Sequence, residues 1–542
     1  MSLSHTNAQV SRRGFVQGAG AVAAGAALLG SSAALADEAP TWDTTSDILI
    51  IGSGYAGLCA AIEAAGVGCS VTLIEKNTVY GGNSILCAGN AQFGGGNVVQ
   101  EAADIDDDPE RFYDEIFAYG KHRAIPALLH TFVDHANECV EWLQDDLGVV
   151  FRENVTLNEG HSVPCSLMPE ESPNYPGKGG ISYWYAMYSK ATELGVEMFL
   201  EHKATELVQA EDGTVVGAVV ETPEGTKRFQ ATKAVILGSG GWKSNVAMRL
   251  QWDPRLDSDL SAGGLPYVQT TGEMINEAVN IGAGTTDMSF VCEFRFKWGT
   301  KIYQAWDPVS IDNPPATGTG MTFKSFDNVV MVKADGTRFV NENAAKEYPQ
   351  EPFYEAYLNQ ESPRMVWAVI DAAVAEELGW DVSVLDAPAE DVKPYLAPDY
   401  VAVADTLEDL AAKMGVPTDA FVDQIATYNG YVESGTDEEF NKQDMTTPIA
   451  TAPFYAVRMQ FFAHDQMGGI LANTKAQVCK RSQYYGPDPI ALDDQEVIPH
   501  LYAAGECVGG YVGEDRGHGK ISIYMVFGRI AGQNAALETP VA

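Results

Sequence analysis

An apolar run that ends in spaced glycines constrains this chain more than any other feature. Asp47-Ile48-Leu49-Ile50-Ile51 leads straight into Gly52-Ser53-Gly54-Tyr55-Ala56-Gly57, a G-x-G-x-x-G pattern, and an Ala-rich segment from Leu58 to Ala65 follows. A second apolar run, Ser70 to Ile74, ends on Glu75, eighteen residues after Gly57. Each part has a physical task. Gly52 makes the tight turn, Gly54 lets backbone approach a pyrophosphate, and Gly57 lets the helix pack close to the strand. The helix N-terminus offers free N–H groups and a positive dipole end to phosphates. Glu75 can accept hydrogen bonds from both ribose hydroxyls, and its charge repels a 2′-phosphate. The glycines alone are weak evidence. Strand, helix, second strand and terminal acid in register predict a βαβ unit that binds a dinucleotide.

Residues 1–36 read as an address rather than as fold. Ser11-Arg12-Arg13-Gly14-Phe15-Val16 is a twin-arginine pattern, a weakly apolar run from Gly18 to Gly30 follows, and Ala34-Leu35-Ala36 is an A-x-A-type cleavage site. A membrane span needs ~20 strongly apolar residues, and this run is too short and too rich in Gly and Ala. The expectation is export by the twin-arginine route to the periplasm or cell surface, already folded, with no stable membrane insertion. Acids outnumber bases 74 to 34, for a net charge of −40. Such a charge disfavours nucleic acid and anionic membrane as partners. It suits solubility, or the steering of a cationic electron-transfer partner such as a small cytochrome. The eight cysteines are scattered, without C-x-x-C or C-x-x-C-H, which argues against a c-type haem and against a ferredoxin cluster. They read as small buried hydrophobes, and no metal-ligand set is legible.

Further along, Gly81-Gly82-Asn83-Ser84 and Gly94-Gly95-Gly96 mark loops where backbone lies close to something. The pattern predicts helix from about Asp108 to Leu147 and again from Ser182 to Leu194. Strands Thr205–Gln209 and Val215–Glu221 form an antiparallel ribbon around Glu211-Asp212-Gly213. Ala234-Val235-Ile236-Leu237 runs into Gly238-Ser239-Gly240-Gly241, and Leu501 to Glu506 is another strand ending on a glycine turn, with a helix from about Ser522 to Asn534. Between Phe290 and Ala450 the texture is richer in proline, aromatic residues and irregular loop. The expected organisation is an FAD-type domain in two parts, 44–289 and 451–542, with an inserted cap over 290–450.

These motifs together resemble the flavoprotein subunits of the fumarate reductase and succinate dehydrogenase superfamily, whose relatives include soluble fumarate and urocanate reductases and 3-ketosteroid Δ1-dehydrogenases. The likeness runs from about Thr44 to Ala536. It also rests on Thr271-Gly272-Glu273, Gly336-Thr337-Arg338-Phe339-Val340-Asn341-Glu342, Met467-Gly468-Gly469-Ile470, Ala503-Ala504-Gly505-Glu506 and Phe527-Gly528-Arg529. It implies an α/β fold: a two-dinucleotide-binding-type FAD domain with an inserted α+β cap, and hydride transfer between flavin N5 and a carbon beside an activating group. By position it implies FAD contacts from Gly52, Gly54, Ala56, Gly57, Glu75, Gly82, Asn83, Ser84, Gly241, Glu273, Glu506 and Ser522. Glu273 is one methylene longer than the family's Asp. Asn83 stands where covalently flavinylated relatives have histidine, which implies noncovalent FAD.

The resemblance also assigns a substrate site. His464, three residues before M-G-G, and Arg516 match the family's substrate-binding histidine and carboxylate-clamping arginine, and Gly519 matches a close backbone approach. Read without the family, the alternatives are a helix-end or core histidine for His464 and a surface ion pair with Glu514 or Asp515 for Arg516. Three departures stand out. Lys346 replaces the proton-donating arginine, with Tyr348 two residues on, near a tyrosine position of ketosteroid dehydrogenases. Phe294 falls where an H-P-T histidine would be, and the cap's Thr-Glu pair has no counterpart. Each charge-assisted bond lost to a carboxylate costs roughly 1.5–3 kcal/mol, which argues against fumarate as the preferred substrate. The aromatic residues Phe294, Phe296, Trp298, Tyr303 and Trp306 suit either an aromatic substrate or a cap core, and His518 is a reserve proton relay. The expectation is an FAD-dependent reductase of alkenes conjugated to a carbonyl or carboxylate, fed by a cytochrome or quinol-linked donor in anaerobic respiration. Two alternatives stay open: a steroid-type ketone dehydrogenase, and a flavin electron carrier.

Overall fold

The computed structural model describes residues 41–158, 160–171, 179–260, 269–296, 323, 325–345, 351–380, 382, 401–459, 461–482, 491–514 and 520–541. The chain divides at Asp43, and the described strands and helices belong to the unit Thr44–Ala542. The expected signal peptide lies outside the described residues.

Strand β1 (Thr44–Ile51) is the centre of an eight-stranded sheet, and Ile48, Leu49 and Ile50 are fully buried in it. A strand covered on both faces reads as a continuous apolar run, which is why 47–51 has no alternation. With β2 (Val71–Ile74), β3 (Glu197–Phe199), β4 (Lys203–Gln209), β5 (Val215–Thr222), β6 (Gly225–Leu237), β7 (Gln477–Cys479) and β8 (Val497–Ala503), the order is β7-β8-β6-β1-β2-β3. Pairing is parallel from β8 through β3, and antiparallel at β7. The expected two-stranded ribbon is β4–β5, and it continues antiparallel into the long β6. Helix α1 (Tyr55–Gly66) and the C-terminal helix Lys520–Ala536 lie against one another. A Cβ on Gly528 or Gly532 would come within 2.6 and 2.4 Å of the Ala56 and Ala60 carbonyl oxygens. The F-G-R motif is thus a helix-packing device.

The single helical stretch expected over 108–147 is instead two helices, Pro109–Tyr119 and Pro126–Asp145. The first is capped by Asp108, whose carboxylate accepts from the Arg111 N–H. The break follows from Pro126, which forces Ile125 to extended backbone, and from Lys121 and His122, which sit at φ 55 and 57. The link docks on the C-terminal region: Ile125 N–H donates to the Gly510 carbonyl at 2.8 Å.

A second, four-stranded antiparallel sheet runs Val330–Lys333, Val366–Asp371, Phe454–Met459, Val401–Ala404, with its own buried core. This core draws on Leu256 and Leu260 and reaches Met459, so it extends beyond the 290–450 boundaries at both ends. The two cores are joined by the antiparallel pair Val291–Phe296 and Phe461–Gln466, and by the stretch from Met248 to Leu260.

Inside the second core the G-T-R-F-V-N-E motif builds a buried ionic knot. Arg338 donates through Nε and Nη2 to both Glu342 oxygens at 2.9 Å, and through its Nη atoms to Asp437 at 2.9 and 3.1 Å. Lys442 Nζ lies 3.2 Å from Glu342 and donates to the Phe326 and Val329 carbonyls. Burial would raise the Glu342 pKa, but Lys442 and Arg338 outweigh it and hold the carboxylate below its usual range. A group with a depressed folded pKa contributes stability above its unfolded pKa, and that contribution is lost as pH falls through the folded value. Glu342→Gln should therefore cost about 3–5 kcal/mol at pH 7. Denaturant unfolding from pH 7 down to pH 3 checks this, with the gap to wild type closing toward the acid end.

Candidate functional site

A groove opens at the C-terminal ends of β1, β2 and β6, enclosing about 930 Å³ of non-protein space, part of it open to solvent. It is built by the β1–α1 turn. Gly52 sits at φ +108, and a Cβ there would lie 2.3 Å from the Gly238 carbonyl oxygen; one on Gly57 would lie 2.0 Å from the Gly52 oxygen. The ends of β1 and β6 and the first turn of α1 therefore meet in contact that no side chain would permit. Ser84 Oγ accepts from the Tyr55 N–H at 3.0 Å, tying the 81–84 loop to the helix N-terminus.

Glu75 is buried and preorganised. Its Oε2 accepts from Ser53 Oγ at 2.6 Å and from Ser53 N–H at 3.2 Å, and its Oε1 from Asn77 N–H at 3.0 Å. Ser53 Oγ in turn accepts from Gly81 N–H at 2.8 Å. Beside it, Lys76 Nζ is 3.1 Å from Glu273 and Lys203 Nζ 3.8 Å. Burial would raise the Glu273 pKa, but the Lys76 charge and local hydrogen bonds prevail and lower it.

At the other end Glu506 and Tyr524 line the groove. Glu506 Oε1 accepts from Lys243 Nζ at 2.8 Å, and both side chains are nearly buried. Gln466 is the node behind them. Its Oε1 accepts from the Trp242 and Lys243 N–H groups, and its Nε2 donates to the Gly468 and Glu506 carbonyls.

These residues fit FAD. The turn presents backbone at a helix N-terminus, where a pyrophosphate binds. Glu75 and Glu506 supply acceptors some distance apart along one groove. The Oδ1 atoms of Asn77 and Asn83, both lining it, are buried and have no hydrogen-bond partner among the described residues, as expected of acceptors that a ligand's N–H or O–H groups would satisfy.

Of the residues singled out from sequence, Gly52, Gly54, Ala56, Glu75, Gly82, Asn83, Ser84, Glu273 and Glu506 line this groove. Three do not. Gly57 packs α1 onto the turn. Gly241 makes room for the Gln466 amide, which a Cβ would meet at 2.5 Å. Ser522 is fully buried inside the C-terminal helix, while Tyr524, two residues on, reaches the groove. Lys346, Tyr348, Arg516, His518 and Gly519 fall outside the described residues, as do Trp298, Tyr303 and Trp306. His464, Phe294 and Phe296 are described in backbone only, on the strand pair joining the two cores. Lys243, Gln466, Lys76 and Lys203 were missed: their partners are remote in sequence, and only Lys76, next to Glu75, carried a local signal. Cys59, Cys139, Cys165, Cys479 and Cys507 are buried, and burial raises each thiol. Among the described residues no group of His, Cys, Asp and Glu is placed to hold a metal, and no helix is long and apolar enough to cross a membrane.

Comparison with known proteins agrees with this geometry. A urocanate reductase of Eggerthella lenta is 29% identical over 517 residues, covering 92% of this chain and 76% of the relative. An acrylate reductase flavoprotein subunit of Shewanella woodyi is 28% identical over 552 residues, covering 96% and 97%. The open conformation of a flavocytochrome c3 fumarate reductase superposes with a TM-score of 0.71 at 26% identity, covering 98% of this chain and 82% of that one. A family model described as an FAD binding domain matches residues 47–521, which takes in the groove from β1 to the start of the C-terminal helix: the chain belongs to this family, and its cofactor is FAD.

Proposed function

We propose that this chain is an exported reductase of carbon–carbon double bonds conjugated to a carbonyl or carboxylate, with electrons supplied by a separate donor protein. The observation that carries the reading is the junction at Gln466. The strand that bears His464 leaves the joint between the two cores and ends, two residues later, with the Gln466 amide against Glu506 at the groove. Substrate held near this joint would lie beside the cofactor.

When bound and reduced, FAD supplies hydride to a β-carbon. The chain's own residues do the rest. Arg516 holds the activating carboxylate or carbonyl, His464 polarises it, and Gly519 lets backbone come close. Lys346 or Tyr348 gives a proton to the α-carbon; burial lowers a lysine's pKa toward the range where it can do so. Urocanate and acrylate, for which two relatives are named, each carry one carboxylate. One carboxylate suits a chain with Phe294 in place of a histidine and without the Thr-Glu pair. The likeness to a flavocytochrome favours a haem-bearing donor, a cytochrome or a quinol-linked protein, and the acidic chain favours a cationic one. Twin-arginine export and a respiratory role complete the reading.

Asn83 has no nucleophilic nitrogen, so the flavin is held without a covalent bond. Acid precipitation should leave all of the yellow colour in the supernatant; colour in the pellet would refute this. The functional test is anaerobic reoxidation of the dye-reduced protein by aryl acrylates, cyclic enones and fumarate in parallel. An acrylate or enone should reoxidise the flavin at least about tenfold faster than fumarate, and Arg516→Met should cost roughly a hundredfold in kcat/KM. Indifference to every alkene would move the reading to a dehydrogenase or an electron carrier.

A further inference from the structure

Lys243 stands out once the groove is accounted for. The chain has 34 basic residues against 74 acidic ones, yet this lysine is buried, with its side chain 3% exposed, rather than placed in solvent. Burying an ammonium costs several kcal/mol unless a partner compensates it. That partner is Glu506, itself on the groove wall. The ammonium takes Oε1, and Oε2 has no hydrogen-bond donor among the described residues. The lysine is held from its own backbone as well, because its N–H and that of Trp242 share the Gln466 oxygen. The Gln466 amide closes the loop onto the Glu506 carbonyl at 3.4 Å. Main chain and side chain of Lys243 are thus both locked to the acid that the groove presents.

We propose that Lys243 is a cofactor-positioning residue: it fixes the Glu506 carboxylate with Oε2 turned to the groove, and it cancels a negative charge that would otherwise face the flavin half of FAD. Two consequences follow from elementary electrostatics. A carboxylate left without its cation in a buried wall is destabilised and free to turn away from the geometry in which it accepts from a ligand hydroxyl. A buried cation at the wall also favours whichever redox state of a bound flavin is more negative, which is the reduced one, and so raises the midpoint potential. Lys520 repeats the pattern on a smaller scale, its buried Nζ donating to the Gln466 carbonyl and lying 3.7 Å from Asp465. Lys520 reaches the groove through the ring face of Tyr524, 5.8 Å from its Nζ, whereas Lys243 ion-pairs with a groove acid.

The test uses the full-length protein and needs no substrate, so its outcome is separate from that of the alkene assays. Apoprotein is titrated with FAD, and the midpoint potential of the reconstituted protein is measured, for wild type, Lys243→Met, Lys243→Arg, Glu506→Gln and the double variant Lys243→Met/Glu506→Gln. Lys243→Met should weaken FAD binding by roughly tenfold or more and lower the potential. Lys243→Arg should restore both, and the double variant should bind FAD better than Lys243→Met because no carboxylate is then stranded. Unchanged affinity and potential in Lys243→Met would overturn the proposal, as would a Lys243→Arg variant as impaired as the methionine one. Should Lys243→Met fail to fold, Lys243→Gln, which keeps a polar end without the charge, meets the same two criteria.

Discussion

The contact between the Gly52 turn and Gly238 is the constraint on which the rest of the molecule depends. Two parallel strands can end this close only where neither turn carries a Cβ, and the next helix can start this close only on Gly57. Because α1 is seated there, its N-terminus faces the groove, and its far side takes the C-terminal helix through Gly528 and Gly532. That second helix carries Tyr524 to the groove, and β8, paired with β6, brings Gly505 and Glu506. A single close approach at the start of the fold thus fixes where segments more than 400 residues later must lie.

Gln466 plays the corresponding part for the second sheet. Its amide binds four main-chain groups drawn from the 242–243 turn, Gly468 and Glu506, so the strand from the joint between the cores is fastened to the cofactor wall rather than merely near it. The glycine at 241 exists for that amide. It therefore belongs to the groove's support, which explains how a motif of cofactor-binding proteins can contain a residue that does not line the groove.

Legibility in the sequence followed distance along the chain. The β1–α1–β2 unit could be read from residues because its turn, helix start and terminal acid lie within about thirty positions and each has a local signature. Glu506 and Glu273 were found only through resemblance, since nothing near either marks it as an acceptor. The Lys243–Glu506 pair, separated by 263 positions, and the Gln466–Trp242 bond, by 224, had no signature at all. Helical periodicity over 108–147 was real, but it could not show that Gly120 and Ile125 would dock on the 510–513 turn and interrupt it. The strand Phe454–Met459, which belongs to the second sheet although it follows residue 450, was illegible for a related reason. Phe454–Met459 is apolar enough for either sheet, and its partner strand starts 88 residues earlier.

The distribution of charge gives the site its logic. In a chain with net charge −40, the long-range field opposes an anionic cofactor, and a flavin that gains electrons becomes harder still to hold. Screening by salt removes much of that field beyond ~10 Å, so binding is decided by what stands within a few ångströms. There the chain departs from its average. Lys76 and Lys203 meet at Glu273 on one side of the groove, and Lys243 meets Glu506 on the other. Each groove acid outside the turn is thus neutralised by a lysine, and Glu75 alone is satisfied by neutral donors, Ser53 and Asn77. Neutral hydrogen bonds supply Glu75 with orientation inside the turn, whereas the lysines cancel the charge of Glu273 and Glu506, which would otherwise add to the field that opposes an anionic cofactor.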